Sequence, residues 1–153
     1  MTANIIKLII SISICLLAGF VGSIFTSKSI PAWYASLNKP VFNPPNWVFA
    51  PVWTTLYILM GISLYLVWNT NNKLAMIIFA VQLVLNVAWS ILFFGLKSPL
   101  LAFIEIIILW IAILTTIFKF HNIVPTSAYL LIPYILWVSF AALLNYSIWM
   151  LNK

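Results

Sequence analysis

Five long apolar stretches limit this chain to a small set of folds. A helix needs roughly 20 apolar residues to cross a hydrocarbon core about 30 Å thick. Inside that core the backbone must pair its own hydrogen-bonding groups, so each stretch is predicted to be a helix. The stretches cover about residues 5–25, 47–68, 73–94, 99–118 and 127–151. The predicted fold class is an all-α membrane protein, with residues 1–153 forming one bundle of five transmembrane helices in the lipid bilayer.

The composition excludes an ordinary soluble domain. The chain is 65% hydrophobic and 5% charged, with a mean hydropathy of +1.18. In a soluble domain, roughly a quarter of all residues are charged. Seven Lys residues give a net charge of +6, and they are spread singly along the chain. They therefore form no stripe that could follow a phosphate backbone. We expect them to reach the lipid headgroups from helix ends, and we expect no nucleic-acid partner.

The connection between the first two helices, residues 26–46, differs from the other connections, which are short. It holds four of the eight prolines together with aromatic residues, so it is stiffer than a flexible linker. Long ordered loops tend to be lids or binding loops, but aromatic residues also settle at the headgroup layer. Both interpretations of this long ordered loop stay open. Its prolines and aromatic residues are Pro31, Pro40, Pro44, Pro45, Trp33, Tyr34 and Phe42.

Polar and aromatic side chains form a stripe on the third helix. They recur at steps of three and four residues, which places them on one helix face. Amides inside a membrane must find partners, so this face is predicted to point into the protein. They could hold helices together or contact a ligand, and the two roles can coexist. The stripe contains Gln82, Asn86, Trp89, Ser90 and Phe93.

The second and fifth helices each carry an aromatic face. An aromatic, weakly polar interior suits a large, flat, apolar ligand, because stacking gives affinity and a few amides fix orientation. Simple helix packing is the alternative. The face of the second helix holds Trp53, Tyr57, Gly61, Leu64 and Trp68, and that of the fifth holds Tyr134, Trp137, Ala141, Leu144 and Ile148, with Asn145 beside it.

Small residues recur every four positions on the first helix, at Ser11, Cys15, Gly19 and Ser23. Such a run lets another backbone approach closely. It predicts a packing seam, either within the monomer or across a dimer.

Conventional catalytic groups are scarce. The chain has one acid, Glu105, one His and one Cys, on separate elements, so no metal site is predicted. There is no carboxylate pair, no Ser-His-Asp set and no phosphate loop. Glu105 lies inside the fourth helix and is expected to be protonated or hydrogen-bonded to an amide or hydroxyl. Any reactive chemistry would belong to the ligand, and no cofactor is required.

Several motifs resemble the TspO/MBR family, the tryptophan-rich sensory and translocator proteins related to the peripheral benzodiazepine receptor. The matches extend over nearly the whole chain. In the first loop and second helix they are Trp33-Tyr34, Leu37-Asn38-Lys39-Pro40, Asn43-Pro44-Pro45-Asn46-Trp47 and Pro51-Val52-Trp53-Thr54-Thr55-Leu56-Tyr57. In the third and fifth helices they are Gln82-Leu83, Asn86, Trp89, Pro133-Tyr134, Trp137, Phe140-Ala141 and Leu144-Asn145-Tyr146.

The resemblance implies a homodimer of five-helix bundles, each with the first loop capping a pocket. Similar members bind tetrapyrroles such as protoporphyrin IX and haem, and mitochondrial relatives also bind cholesterol and isoquinoline carboxamides. Carried onto this sequence, the ligand-binding residues implied are Trp33, Tyr34, Pro40, Trp53, Tyr57, Asn86, Trp89, Trp137, Ala141 and Leu144.

Four functions follow as hypotheses. The chain could be a tetrapyrrole receptor or sensor, a tetrapyrrole transporter, a light-dependent porphyrin-degrading protein that uses Trp53 and Trp137, or a purely structural dimer. Abundant Ile, Asn and Lys without Arg suggest an AT-rich bacterial genome. With no transit peptide recognised, a bacterial cytoplasmic membrane is the expected location.

Overall fold

The structure, a computed structural model, describes residues 2–153, with side chains from Asn4 onward. Met1, which the predicted domain included, lies outside the described residues. Within this range five helical spans are long and apolar enough to cross a membrane, and no strand occurs. This confirms the predicted all-α membrane fold. The spans are Asn4–Tyr34, Asn46–Trp68, Lys73–Gly95, Pro99–His121 and Pro125–Leu151.

The spans are built from six α-helices and shorter helical turns. The first span is α1 (Thr2–Ser29) followed by a π-helical turn (Ile30–Tyr34). A 3₁₀ turn (Asn46–Val48) leads into α2 (Phe49–Trp68). The third span is α3 (Lys73–Ser90) with a second π-helical turn (Ile91–Gly95), and the fourth is α4 (Pro99–His121). Short α5 (Pro125–Tyr129) and long α6 (Ile132–Leu151) form the fifth.

The first helix is longer than the sequence predicted. It was expected to end near residue 25, but the helical backbone continues to Tyr34. Pro31 has no N–H to donate, and the helix widens here into a π turn in which the Ala35 N–H reaches the carbonyl of Ile30. The connection to α2 therefore shrinks to residues 37–45, which we call the capping loop.

A proline also divides the fifth span. Pro133 cannot donate a hydrogen bond to the preceding turn, and the helix breaks at Leu130 and Leu131 before α6 begins. The break is narrow, because the Leu131 N–H donates to the carbonyl of Ala128 and the Ile135 N–H donates to that of Leu131. The two pieces thus act as one span.

The α1–α2 interface explains part of the small-residue seam. Ser11 and Cys15 are fully buried within the monomer. On α2, a Cβ added to Gly61 would lie 2.5 Å from the Cα of Ile12, so only glycine permits this approach of the two backbones. The seam therefore serves packing inside one chain over its first half.

The two halves of the bundle are packed differently. The half that contains Val67, Ala75 and Phe120 is a solid apolar core, in which the rings of Phe79 and Phe120 stack at 5.8 Å. The half nearer the capping loop contains a cavity. Large apolar side chains on the outer faces are exposed, as expected of helices that face lipid.

Candidate ligand cavity

A cavity of about 430 Å³ lies between the helices in the half of the bundle nearer the capping loop. This volume is within the range of roughly 300–1,000 Å³ found for small-molecule pockets. Among the described residues, those that line it come from every span except the fourth. The aromatic lining residues are Phe20, Tyr34, Phe49, Trp53, Tyr57, Trp89, Phe93, Phe94 and Trp137.

Eight of the ten residues predicted from the sequence line this cavity. They are Tyr34, Trp53, Tyr57, Asn86, Trp89, Trp137, Ala141 and Leu144. The other two, Trp33 and Pro40, are half-buried outside the lining. Trp33 lies one layer back, with its ring edge-on to that of lining residue Phe93 at 5.5 Å. Pro40 belongs to the capping loop.

Asn86 joins three helices at the edge of the cavity. Its Oδ1 accepts a hydrogen bond of 2.5 Å from the Tyr57 hydroxyl on α2. Its Nδ2 donates to the Tyr134 hydroxyl on α6 at 3.0 Å. Asn86 thus has the interhelical role that the sequence allowed, and it also lines the cavity, while contact with a ligand stays a prediction.

Trp89 is held by a second amide. Its Nε1 donates to Asn145 Oδ1 at 3.0 Å, and Asn145 Nδ2 donates to the Pro99 carbonyl at the start of α4 at 2.8 Å. Both Trp89 and Asn145 line the cavity. The fourth span therefore fixes the orientation of the Trp89 indole although its own residues do not line the cavity.

The aromatic rings of the lining support one another. The Trp53 ring stacks on that of Tyr57 at 5.5 Å, and the Trp89 ring stacks on that of Phe93 at 5.1 Å. Trp137 meets Phe49 edge-on at 6.1 Å. Rings locked in this way present preformed aromatic surfaces, which suits stacking against a flat ligand.

The two π-helical turns bring further residues to the cavity. The first supplies Ile30 and Tyr34, and the second supplies Phe93 and Phe94. The buried Ser29 hydroxyl donates to the carbonyl of Phe94 at 2.7 Å, which joins the two turns. Since π turns carry no simple sequence signal, Ile30 and Phe94 were not predicted, whereas Tyr34 was a predicted ligand-binding residue and Phe93 belonged to the predicted inward stripe of the third helix.

The contribution of α1 to the cavity was not predicted from the sequence. Gly19 and Ser23, interpreted as packing residues, line the cavity together with Phe20 and Thr26. A Cβ added to Gly19 would collide with the ring of Tyr57, so the glycine makes room for a lining side chain. The signal was present in the small-residue run, because small residues leave space for a ligand as readily as for a helix.

Some lining residues of α1 and α2 are also exposed. Phe20, Ser23 and Thr54 line the cavity and yet are exposed, with Phe20 64% accessible. All three lie within spans that are long and apolar enough to cross a membrane.

The lining contains no charged residue and no His, Cys or Met among the residues that the structure describes. Its polar groups are amides, hydroxyls and the Nε1 atoms of three indoles. Of these, Trp137 Nε1 is a buried donor without a protein partner in the described chain. Glu105 is buried outside the lining. Neither of its oxygens meets a donor among the described residues, so the expected bond to an amide or hydroxyl is not seen.

Together, the five spans and the aromatic, uncharged cavity define an integral membrane protein with an apolar cavity inside its helical bundle. The model of the TspO/MBR family matches residues 11–150, and the chain therefore belongs to this family. The resemblance noted in the sequence motifs is confirmed.

The chain aligns with similar proteins over most of the length of both partners. The chain is 48% identical to the tryptophan-rich protein TspO of Archaeoglobus fulgidus, over 97% of this chain and 99% of the relative. It is 44% identical to the tryptophan-rich protein TspO of Chlorobaculum tepidum, over 99% of both. It is 38% identical to the human translocator protein, over 85% of this chain and 80% of the relative.

Proposed function

We propose that this protein is a membrane receptor or translocator that binds a tetrapyrrole, such as protoporphyrin IX or haem, in the cavity. The observation that carries the proposal is the set of three indole rings, those of Trp53, Trp89 and Trp137, around one uncharged cavity. A flat macrocycle gains most from such walls, because stacking adds to the burial of its apolar surface. Isoquinoline carboxamides, which are also flat and apolar, fit the same description.

Polar groups of the lining supply orientation. Trp137 Nε1 is a buried donor with no partner in the described chain, so an acceptor on a ligand would satisfy it. The amides of Asn86 and Asn145 are already engaged with protein groups, which keeps them rigid. A site with few polar groups in fixed positions is typical of selective binding of a mainly apolar ligand.

The lining predicts how iron affects binding. No His, Cys or Met side chain lines the cavity in the described chain, and the hydroxyls of the lining residues Tyr34 and Tyr57 already donate to Asn43 and Asn86. The iron of haem would therefore find no free axial ligand of the usual types there. Stacking is then the main attraction. We therefore expect haem and metal-free protoporphyrin IX to bind with affinities within about one order of magnitude of each other.

The test is a titration of the purified protein with protoporphyrin IX in the dark, followed by quenching of tryptophan fluorescence. Trp53→Phe should weaken binding about five- to tenfold, the expected loss for part of one stacked ring. Trp68→Phe is the matched control, because Trp68 lies on the same helix and does not line the cavity. Absence of saturable binding by the wild-type protein at micromolar porphyrin would refute the proposal.

Light-dependent porphyrin degradation is the second candidate. Trp53 and Trp137 both line the cavity, so both would lie near a bound ring, and the Trp53 ring also stacks on that of Tyr57. In this hypothesis an excited porphyrin exchanges an electron with a nearby indole, and dioxygen is the oxidant that is consumed. Illumination of the complex in air should then bleach the porphyrin, more slowly in Trp53→Phe and Trp137→Phe and not without oxygen. Stable absorbance in light would exclude this activity and leave receptor or carrier.

A further inference from the structure

The side chain of Asn152 makes the two shortest hydrogen bonds between the capping loop and the end of the last helix. Asn38 N–H donates to Asn152 Oδ1 at 2.9 Å, and Asn152 Nδ2 donates to the Asn38 carbonyl at 2.9 Å. The side-chain amide of Asn152 thus pairs with both backbone groups of Asn38, as a neighbouring strand would. Asn152 Nδ2 also donates to the Ile148 carbonyl at 2.7 Å, which holds the amide in the orientation that this pairing needs.

Asn38 Nδ2 also makes a long contact of 3.5 Å to the Leu151 carbonyl, and the remaining hydrogen bonds of the capping loop are local. Tyr34 donates to Asn43 Oδ1 at 2.8 Å, and Lys39 Nζ donates to the carbonyls of Ala35 and Leu37. These bonds join the loop to its own flanks and would move with it. Among the described residues, every hydrogen bond from the loop to another helix ends on Leu151 or Asn152.

The loop lies at an end of the cavity. It connects Tyr34 to Asn46, and both of these residues line the cavity. The ring of Phe42 in the loop meets that of Phe140 at 6.3 Å, and Phe140 in turn meets the lining residue Trp137 at 5.5 Å. No residue of the loop lines the cavity itself, so the loop acts on this end of the cavity through Phe140 and Trp137. Movement of the loop away from α6 would remove the support that Phe42 gives to this pair of rings.

We propose that Asn152 is a positioning residue for ligand exchange: paired with the backbone of Asn38, it holds the capping loop closed and sets how often the cavity opens at this end. The inference rests on the proposed function, since it assumes that the cavity takes a ligand. Asn38 and Asn152 are both exposed, so water competes for their bonds and the pair opens reversibly. Prolines at positions 40, 44 and 45 stiffen the loop, so it would open as a unit.

The proposal predicts different kinetics for a residue that only holds the loop closed and for a residue that contacts the ligand. If Asn152 only holds the loop closed, its removal favours opening equally in the free and bound protein. Association and dissociation should then both accelerate, while the affinity hardly changes. A residue that touches the ligand would instead change mainly the dissociation rate and hence the affinity.

The experiment measures protoporphyrin IX exchange by stopped-flow tryptophan quenching in the dark, with full-length protein in nanodiscs of phosphatidylethanolamine and phosphatidylglycerol. Asn152→Ala should raise both rate constants about five- to tenfold, the effect of roughly one net hydrogen bond, with Kd unchanged within about twofold. Asn152→Asp keeps the acceptor for the Asn38 N–H and should give intermediate rates. Asn38→Ala keeps both backbone bonds to Asn152 and loses only the 3.5 Å contact to the Leu151 carbonyl, so its rates should stay within about twofold of wild type.

Asn122→Ala is the matched control, because Asn122 is an exposed residue at the end of another helix and does not contact the loop. Unchanged rate constants in Asn152→Ala would contradict the proposed role of Asn152. An increase in the dissociation rate constant alone, with weaker affinity, would contradict it as well.

Hydrogen exchange supplies a readout that needs no ligand. The backbone amide of Asn38 should exchange about five times faster in Asn152→Ala, whereas amides in α2 and α3 should keep their protection, which shows that the bundle is intact. An unchanged hydrogen-exchange rate of the Asn38 amide would also contradict the proposed role of Asn152. If the wild-type protein fails to bind porphyrin, the proposed function is refuted, and hydrogen exchange alone then decides whether Asn152 holds the loop.

Discussion

The hydroxyl of Tyr57 and the side-chain amide of Asn86 form the shortest hydrogen bond between side chains of this bundle in the described chain, at 2.5 Å. Both residues line the cavity, and the bond joins α2 to α3. The same amide reaches Tyr134 on α6. The stability of the bundle and the shape of the cavity therefore depend on the same contact.

Tyr57→Phe removes this bond and leaves Asn86 Oδ1 without its donor. Interhelical hydrogen bonds in membrane proteins contribute about 0.5–2 kcal/mol, so the free energy of unfolding should fall by about that amount. Tyr65→Phe on the same helix is the control, because the Tyr65 hydroxyl has no hydrogen bond to any of the residues that the structure describes. Unfolding by SDS in mixed micelles measures both. Equal stability of the two variants would show that the Tyr57–Asn86 bond contributes nothing net.

Two lining tryptophans should respond differently to the same substitution. Trp89→Phe leaves Asn145 Oδ1 unpaired, whereas Trp137→Phe removes an Nε1 that has no partner in the described residues. Trp89→Phe should therefore cost about 1 kcal/mol more stability than Trp137→Phe. Trp137→Phe should instead weaken the binding of ligands that carry an acceptor, which a fluorescence titration measures. The reverse order of stability would contradict these hydrogen-bond assignments.

Gly61→Ala should destabilise the α1–α2 interface. The added Cβ would lie 2.5 Å from Ile12 Cα and 2.9 Å from Ile12 N, and backbone atoms cannot move aside without shifting a helix. Overpacking of this kind costs about 1–3 kcal/mol. At Gly95 the nearest atom is Phe25 Cδ1 at 3.1 Å, a side chain that can rotate, so Gly95→Ala should cost less than about 1 kcal/mol. SDS unfolding of the two variants gives the comparison.

The fold follows from the sequence because apolar length alone decides which segments cross a membrane. The end of the first helix does not follow in the same way. Pro31 normally indicates a break, and here the helix continues through a π turn whose formation depends on tertiary contacts, including the bond from Ser29 to the Phe94 carbonyl. A local pattern cannot reveal that bond, because its partners are 65 residues apart.

The lining of the cavity could be predicted only in part, because helical spacing shows which residues share a face but not which side chains meet between helices. Trp53, Asn86 and Trp137 each belong to a stripe of residues at helical spacing on their own helix, so their inward direction could be inferred. Gly19 has no side chain to mark its face, and its role becomes visible only when the ring of Tyr57 is seen against it. Trp33 is aromatic, as many lining residues are, but it lies behind Phe93. Sequence spacing cannot resolve this difference of one packing layer.

A cavity-filling substitution tests ligand binding in the bundle most directly. Ala141 lines the cavity, and Ala141→Phe would occupy much of the space that the ligand needs. Ala80→Phe is the matched control, because Ala80 is exposed on the outer face of α3. In a dark titration with protoporphyrin IX, Ala141→Phe should weaken binding at least about a hundredfold, corresponding to about 2.7 kcal/mol, and Ala80→Phe should bind as wild type. Unchanged affinity in a folded Ala141→Phe variant would place the porphyrin outside this cavity and contradict the proposed site.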